Sequence, residues 1–249
     1  NDGDLDYVAA RYNPGLVIWL EQPASGQTQR WNKHLIDDTI HGIHGLMKGD
    51  IENDGHLELF ATSAQPKEPY PESLVWFAVP ENPRQAAQWQ PNVFADRDAP
   101  GLIHYLGVGD INGDGVLDAA TGATGGPRAT SQGEWLAWWE PSHDPTRSWV
   151  KHLVSEHEPG ATNIHPVDVN EDGVMDLVAS RGHGTGVIWF EGPDWQRHDI
   201  DASIQEPHCL VAVDIDSDGD VDVATCAFGS REAAWYENNG DGVFSKHHV

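Results

Sequence analysis

Residues 110–123 read DINGDGVLDAATGA, and the way this stretch is built, together with how often it returns, decides the fold. Asp110, Asn112, Asp114 and Asp118 put oxygen-bearing side chains at positions one, three, five and nine of a loop. Gly115 stands at position six, where a sharp turn wants a residue free to take a left-handed backbone, and the Val116 carbonyl falls at position seven. A hard divalent cation such as calcium takes about six to eight oxygen ligands, and alternating carboxylates around a Gly turn supply them. The apolar residues on either side then read as the two strands of a hairpin.

The same pattern is written five times, at intervals of 46 to 60 residues among the four full copies. The others are NDGDLDYVAA from Asn1, which lacks its opening half, DIENDGHLELFATSA from Asp50, DVNEDGVMDLVASR from Asp168 and DIDSDGDVDVATCA from Asp214. Two echoes follow each copy in fixed order. The first is a strand carrying Trp19, Trp76, Trp138, Trp189 or Trp235. The second is an aromatic residue followed three positions later by a polar one: Trp31 and His34, Trp89 and Asn92, Trp149 and His152, Trp195 and His198, Phe244 and His247. A further apolar segment precedes each full Asp loop.

The unit is therefore strand, Asp loop, strand, Gly/Pro loop, Trp strand, turn, final strand: four antiparallel strands, or one propeller blade. The expected fold is all-β, a single β-propeller domain over 1–249 with repeats at about 1–40, 41–99, 100–160, 161–204 and 205–249. Almost no helix is expected, because no segment sustains a 3.6-residue apolar stripe. The first blade lacks its inner strand; five blades is the legible count, and a larger ring stays open. Starting at Asn1 without Met, the chain reads as processed or as a fragment.

Composition narrows the function. Fourteen Lys and Arg against 40 Asp and Glu give a formal charge of -26, which repels nucleic-acid phosphate and anionic lipid. No apolar run reaches the roughly 18 residues of a membrane-spanning helix. The only cysteines, Cys209 and Cys226, exclude a four-thiolate zinc site. Pairing of their two strands across the fifth Asp loop would set them opposite each other, where a single disulfide could form.

The expected calcium ligands are Asp50, Glu52, Asp54 and Glu58 in the second loop, and Asp110, Asn112, Asp114 and Asp118 in the third. The fourth offers Asp168, Asn170, Asp172 and Asp176, and the fifth Asp214, Asp216, Asp218 and Asp222. The longer Glu side chains loosen the second cage, and the half copy with Asp2, Asp4 and Asp6 is expected to hold no ion. These D-x-N-x-D-G-x-x-D loops, with the W-[FYW]-E strands and the closing NNGDGVFSKHHV, resemble the FG-GAP/VCBS repeat family, related to integrin alpha-chain heads and certain fungal lectins. The resemblance implies a calcium-stabilised propeller, secreted, periplasmic or on the cell surface, that binds carbohydrate or a protein partner.

The loops on the face opposite the Asp hairpins, Tyr12–Gly15, Pro66–Glu72, Gly125–Gln132, Gly182–Gly186 and Ala227–Glu232, are the expected functional ones. Six positions before each loop Asp stand His44, His104, Thr162 and His208, at the mouth of the axial channel. Converging neutral imidazoles suit zinc or another divalent transition metal, and nearby Arg11 and Arg181 suit an anionic group. Tyr12 and His41 complete the candidate ligand contacts, with His165 near by. A structural role for the axial histidines is the competing reading, as is assumed for His34, His152, His198 and His247, each bonded to a neighbouring blade.

The segments SRGHGTGVIWFE and HGIHGL are similar to propellers of the aldos-2-ulose dehydratase type. That resemblance implies a metal-dependent lyase on oxidised sugars, with His44, His104 and His208 on the metal and His183 or Tyr105, beside Arg181, moving the proton. Three functions thus stand together: a binding propeller, a metal-dependent carbohydrate lyase or dehydratase, and a structural module of a larger surface protein.

Overall fold

The computed structural model describes residues 5–23, 30–125 and 133–249. The first four residues of the half copy and most of the loop expected at 125–132 lie outside them. Among the described residues there is no helix, and nineteen strands form five antiparallel sheets in which sequence neighbours are sheet neighbours.

The first sheet has three strands, β1 (Tyr7–Arg11), β2 (Leu16–Glu21) and β3 (Asn32–Asp37). The second holds β4 (Ile43–Gly49), β5 (Glu58–Ser63), β6 (Leu74–Phe77) and β7 (Pro91–Ala95). The third holds β8 (Ile103–Gly109), β9 (Asp118–Ala123), β10 (Leu136–Glu140) and β11 (Val150–Ser155). β12 (Asn163–Val167), β13 (Asp176–Ser180), β14 (Thr185–Glu191) and β15 (Gln196–Gln205) make the fourth. β16 (Pro207–Val213), β17 (Asp222–Ala227), β18 (Glu232–Asn238) and β19 (Phe244–His248) make the fifth. These are the blades of a β-propeller.

Burial explains why the strands differ in sequence. β5, β9 and β13 are buried at every position, because each lies between two neighbouring blades. Small residues let neighbouring blades approach: a Cβ on Gly107 in β8 would stand 2.5 Å from the carbonyl oxygen of Ile164 in β12. Each of the four gaps between successive blades is filled by one hydrophobic cluster drawn from both flanking sheets, such as Phe60, Trp76, Phe94, Trp135 and Trp139 between the second and third blades.

The Asp loops fold as the pattern requires. Asp110 accepts the Asp114 and Gly115 N–H groups, Asn112 accepts Asp114 N–H, and Asp114 accepts Val116 N–H, all at 2.8–2.9 Å. The position-nine carboxylates turn inward. Asp118, Asp176 and Asp222 are wholly buried and accept the N–H of Ile111, Val169 and Ile215, so each closes its own hairpin. Glu58 does the same for Ile51.

The outer histidines correct one expectation. His34, His152, His198 and His247 do not bond to a neighbouring blade: each stacks on the Trp of the adjacent strand in its own sheet. Each also bonds the Glu two residues beyond that Trp, at 2.6–2.9 Å, through Glu21, Glu140, Glu191 and Glu237. The register explains it: Trp19 and His34, or Trp189 and His198, are direct cross-strand partners. The Trp–His–Glu unit is a fastening within the blade.

Candidate functional site

The inner strands carry the site, and irregular pairing aims it. Register shifts fall between Ile43 and Leu46 in β4, between Ile103 and Leu106 in β8, and between Pro207 and Cys209 in β16. His44, His104 and His208 sit inside those three shifts. A β-bulge frees a residue from the ladder and redirects its side chain, so each imidazole leaves its sheet and faces the axis. The fourth blade has Thr162 at this position, just ahead of β12, whose pairing with β13 shows no shift.

The three histidines each bring a ligand-type nitrogen within 4.8 Å of the others. Ring centroids are 4.2 Å apart for His44 and His104, 5.2 Å for His104 and His208, and 5.9 Å for His44 and His208. His183, from the turn between β13 and β14, adds a fourth ring, with Nε2 3.0 Å from His104 Nε2. Tyr105 stands edge-on to His44 and to His208, and Tyr12 edge-on to His44.

Hydroxyl groups fasten the cluster across blade boundaries. Thr62 Oγ1 accepts Gly45 N–H at 2.9 Å and donates to the His104 carbonyl at 2.6 Å. Thr162 Oγ1 accepts Gly182 N–H at 3.0 Å and donates to the His208 carbonyl at 2.9 Å. The loop residue Thr162, where a histidine was absent from the pattern, therefore supports the histidine of the next blade.

Burial keeps the three rings of His44, His104 and His208 neutral. Burial, then the neighbouring imidazoles of His44, His183 and His208, pushes His104 down to about 3. Burial likewise lowers His44 and His208. Burial first, and the Cys209 thiol second, raises Tyr105, which stays a protonated phenol. Neutral imidazole is the form that ligates a metal. The fit is supported by His44 Nδ1, which is buried with no hydrogen-bond partner. His104 Nδ1 likewise makes no hydrogen bond of good geometry, although the nearby Leu102 backbone slightly favours its protonated form.

A pocket of about 490 Å³ opens beside the cluster, lined by Tyr12, His44, His104 and His183 together with Glu134 and Glu206. The two carboxylates carry no sequence signal, being two among 40 acidic residues. Glu206 holds a left-handed backbone, φ 54°, a conformation that costs a non-Gly residue and often marks functional sites.

Other expected contacts lie elsewhere. Arg181 donates from Nε to the Pro159 carbonyl at 2.9 Å and faces buried Glu158 at 3.7 Å, beside Arg197. Arg11 and His41 are exposed and do not line the pocket. His165 Nε2 bonds the Leu210 carbonyl at 3.0 Å. Cys209 and Cys226 are cross-strand partners, as the hairpin register implied, and both are free thiols.

In the Asp loops, Asp214, Asp216 and Asp218 converge within 4.8 Å. Asp118 Oδ1 and Asp168 Oδ1 are buried acceptors without a partner, which fits a cation.

Comparison with known proteins adds the family. A family model for the β-propeller domain of aldos-2-ulose dehydratase matches residues 14–165, more than half of the chain. No curated protein matches in sequence. Among solved structures, the chain is similar to one in the crystal structure of a nidogen/laminin complex, with TM-score 0.62 and 10% identity over 98% of this chain and 77% of that one. It is also similar to a protein from Bacteroides uniformis assigned as a 6-phosphogluconolactonase, with TM-score 0.59 and 15% identity over 97% and 69% of the two chains. At such identities the likeness concerns the fold alone.

Proposed function

The chain belongs to the family of aldos-2-ulose dehydratase β-propeller domains, and from that premise we propose that it is a metal-dependent carbohydrate dehydratase whose reaction takes place at the axial histidines. The observation that carries the reading is the convergence of His44, His104 and His208 on one point, held neutral and next to a pocket of sugar size. Zinc or another divalent transition metal held by these three rings would act as a Lewis acid on a carbonyl oxygen of the substrate.

The remaining chemistry belongs to side chains. Dehydration next to a ketone removes a proton from the adjoining carbon and expels hydroxide from the one beyond. His183 is the imidazole outside the triad that can take the proton, and Tyr105, kept protonated by burial, can give one to the departing hydroxide. Thr62 and Thr162 hold the backbone of two ligands still. Glu134 and Glu206 offer acceptors for sugar hydroxyls.

The Asp loops support a second, structural metal. We assign calcium to them in the manner of FG-GAP/VCBS repeats, on the converging carboxylates of the fifth loop and the orphan acceptors of the third and fourth. Loops of this type suit the calcium levels outside the cytoplasm, so a secreted, periplasmic or surface location goes with the assignment. A pure binding propeller for carbohydrate or protein is favoured by Tyr12 and Phe228, which the loop face leaves 41% and 84% exposed.

Elemental analysis of protein purified without added metal, paired with assay on an aldos-2-ulose, separates these readings. The dehydratase requires about one zinc or manganese per chain beyond calcium, lost in His104→Ala, and an unsaturated ketone that absorbs in the ultraviolet. Calcium alone, with saccharide binding and no turnover, would assign the chain to the binding class.

A further inference from the structure

Two thiols remain that neither the metal nor the fold uses, Cys209 in β16 and Cys226 in β17. They are register partners in an antiparallel pair, so both side chains leave the same face of the sheet. Directly opposed residues have Cα atoms about 4.5 to 5.5 Å apart, inside the window of about 4.4 to 6.8 Å that a disulfide spans. The two cysteines are nonetheless reduced in the structure.

Their surroundings differ. Cys226 is exposed and lines an open pocket of about 700 Å³ with Phe228, Arg231 and His208. Cys209 is half-buried, with Sγ 3.4 Å from Tyr105 Oη and 3.9 Å from His208 Nδ1. One sulfur is thus open to an attacking reagent, and its partner lies behind it against the axial cluster.

We propose that Cys209 and Cys226 form a reversible disulfide site, entered at Cys226 by a low-molecular-weight disulfide such as oxidised glutathione. The Cys226 sulfur, its proton lost to solvent, attacks one sulfur of the reagent and releases one thiol. Cys209, also losing its proton, then attacks Cys226 Sγ and releases the second thiol. The protein gives up two electrons, and one reagent disulfide becomes two thiols. Arg231 supplies positive charge where an anionic reagent enters an otherwise acidic protein. Closing the bond draws Cys209 Sγ away from Tyr105 and His208, so the oxidation state of this pair is reported directly at the axial site.

The test uses the full chain in buffers of graded oxidised and reduced glutathione, with free thiols alkylated and intact mass measured. Both thiols should disappear together, the protein losing two hydrogens and keeping no glutathione, and dithiothreitol should restore them. Cys209→Ser should halt at a glutathione adduct on Cys226, and Cys226→Ser should leave Cys209 slow to react by at least tenfold. A persistent adduct on the wild type, a disulfide-linked dimer, or two thiols still reactive in excess oxidised glutathione would each overturn the proposal. None of these readouts depends on metal or turnover, so the result stands apart from the dehydratase reading.

Discussion

Asp176 shows how much a single side chain carries in this fold. Its Oδ2 accepts Val169 N–H at 2.9 Å and its Oδ1 accepts Gly192 N–H at 2.7 Å, with no exposed surface. Asp176→Ala leaves two buried donors unpaired, at about 1–3 kcal/mol each. We expect a loss of about 2–5 kcal/mol in urea unfolding with an unchanged m-value, and a smaller loss for Asp176→Asn, which keeps an acceptor. His104 makes the opposite demand, for neutrality. Its folded value of about 3 lies below the unfolded value near 6.5, so the unfolded chain binds the extra proton. Its stabilising effect is complete above about pH 6.5 and is lost as pH falls toward 3. Asp118, raised to about 7, and Asp176, raised to about 6, act in the reverse sense in metal-free protein and gain stability as pH falls. The His104 term is therefore read as a difference. In chelated protein, His104→Gln should lose less melting temperature between pH 7 and pH 5 than the wild type does; parallel curves would refute it.

At the scale of strands, the site depends on how closely the inner strands approach. A Cβ on Gly182 would lie 2.5 Å from His208 Cα and 2.5 Å from Thr162 Oγ1, the atom that supports the His208 carbonyl. Gly182→Ala must push the fourth blade from the fifth, costing about 1–3 kcal/mol by overpacking and displacing His208 from the triad. Zinc affinity should fall by tenfold or more while the β spectrum stays intact; native affinity would show that the contact does not position the ligand. Much of this level was legible in the sequence. The Asp loops fixed hairpin order, and counting back six residues found His44, His104 and His208, because a repeat copies position as well as residue type. The bulges were not legible, since a register shift depends on pairing rather than composition. Nor was the partner of His34 or His198, because a cross-strand Glu and a neighbouring blade look alike until the register is known. The partners of Arg181 were hidden for a related reason: Glu158 and Pro159, which engage it, come from a different blade.

Across the whole molecule, stability is distributed over the gaps between blades. Four clusters join the five sheets in order: Val17 with Phe77, Phe60 with Trp139, Leu136 with Ile188, and Val187 with Tyr236 are representative members. Among the described residues no fifth cluster joins the last sheet to the first. Leu5 and Tyr7 at one end are 85% and 60% exposed, and Val211 and Val213 at the other are 52% and 51% exposed. Among the described residues, the clusters cover both faces of the three middle blades and one face of each end blade. In a repeat architecture, where stability approximates a sum of unit and nearest-neighbour terms, a unit with one neighbour opens first. The net charge of -26 strengthens the effect, because self-repulsion resists compaction most where packing is thinnest. Hydrogen exchange should therefore release β1–β3 and β16–β19 before the amides of β8–β11, by at least tenfold in rate. Uniform protection across all nineteen strands would mean that the five sheets open as one unit, and the neighbour-by-neighbour account of this fold would fail.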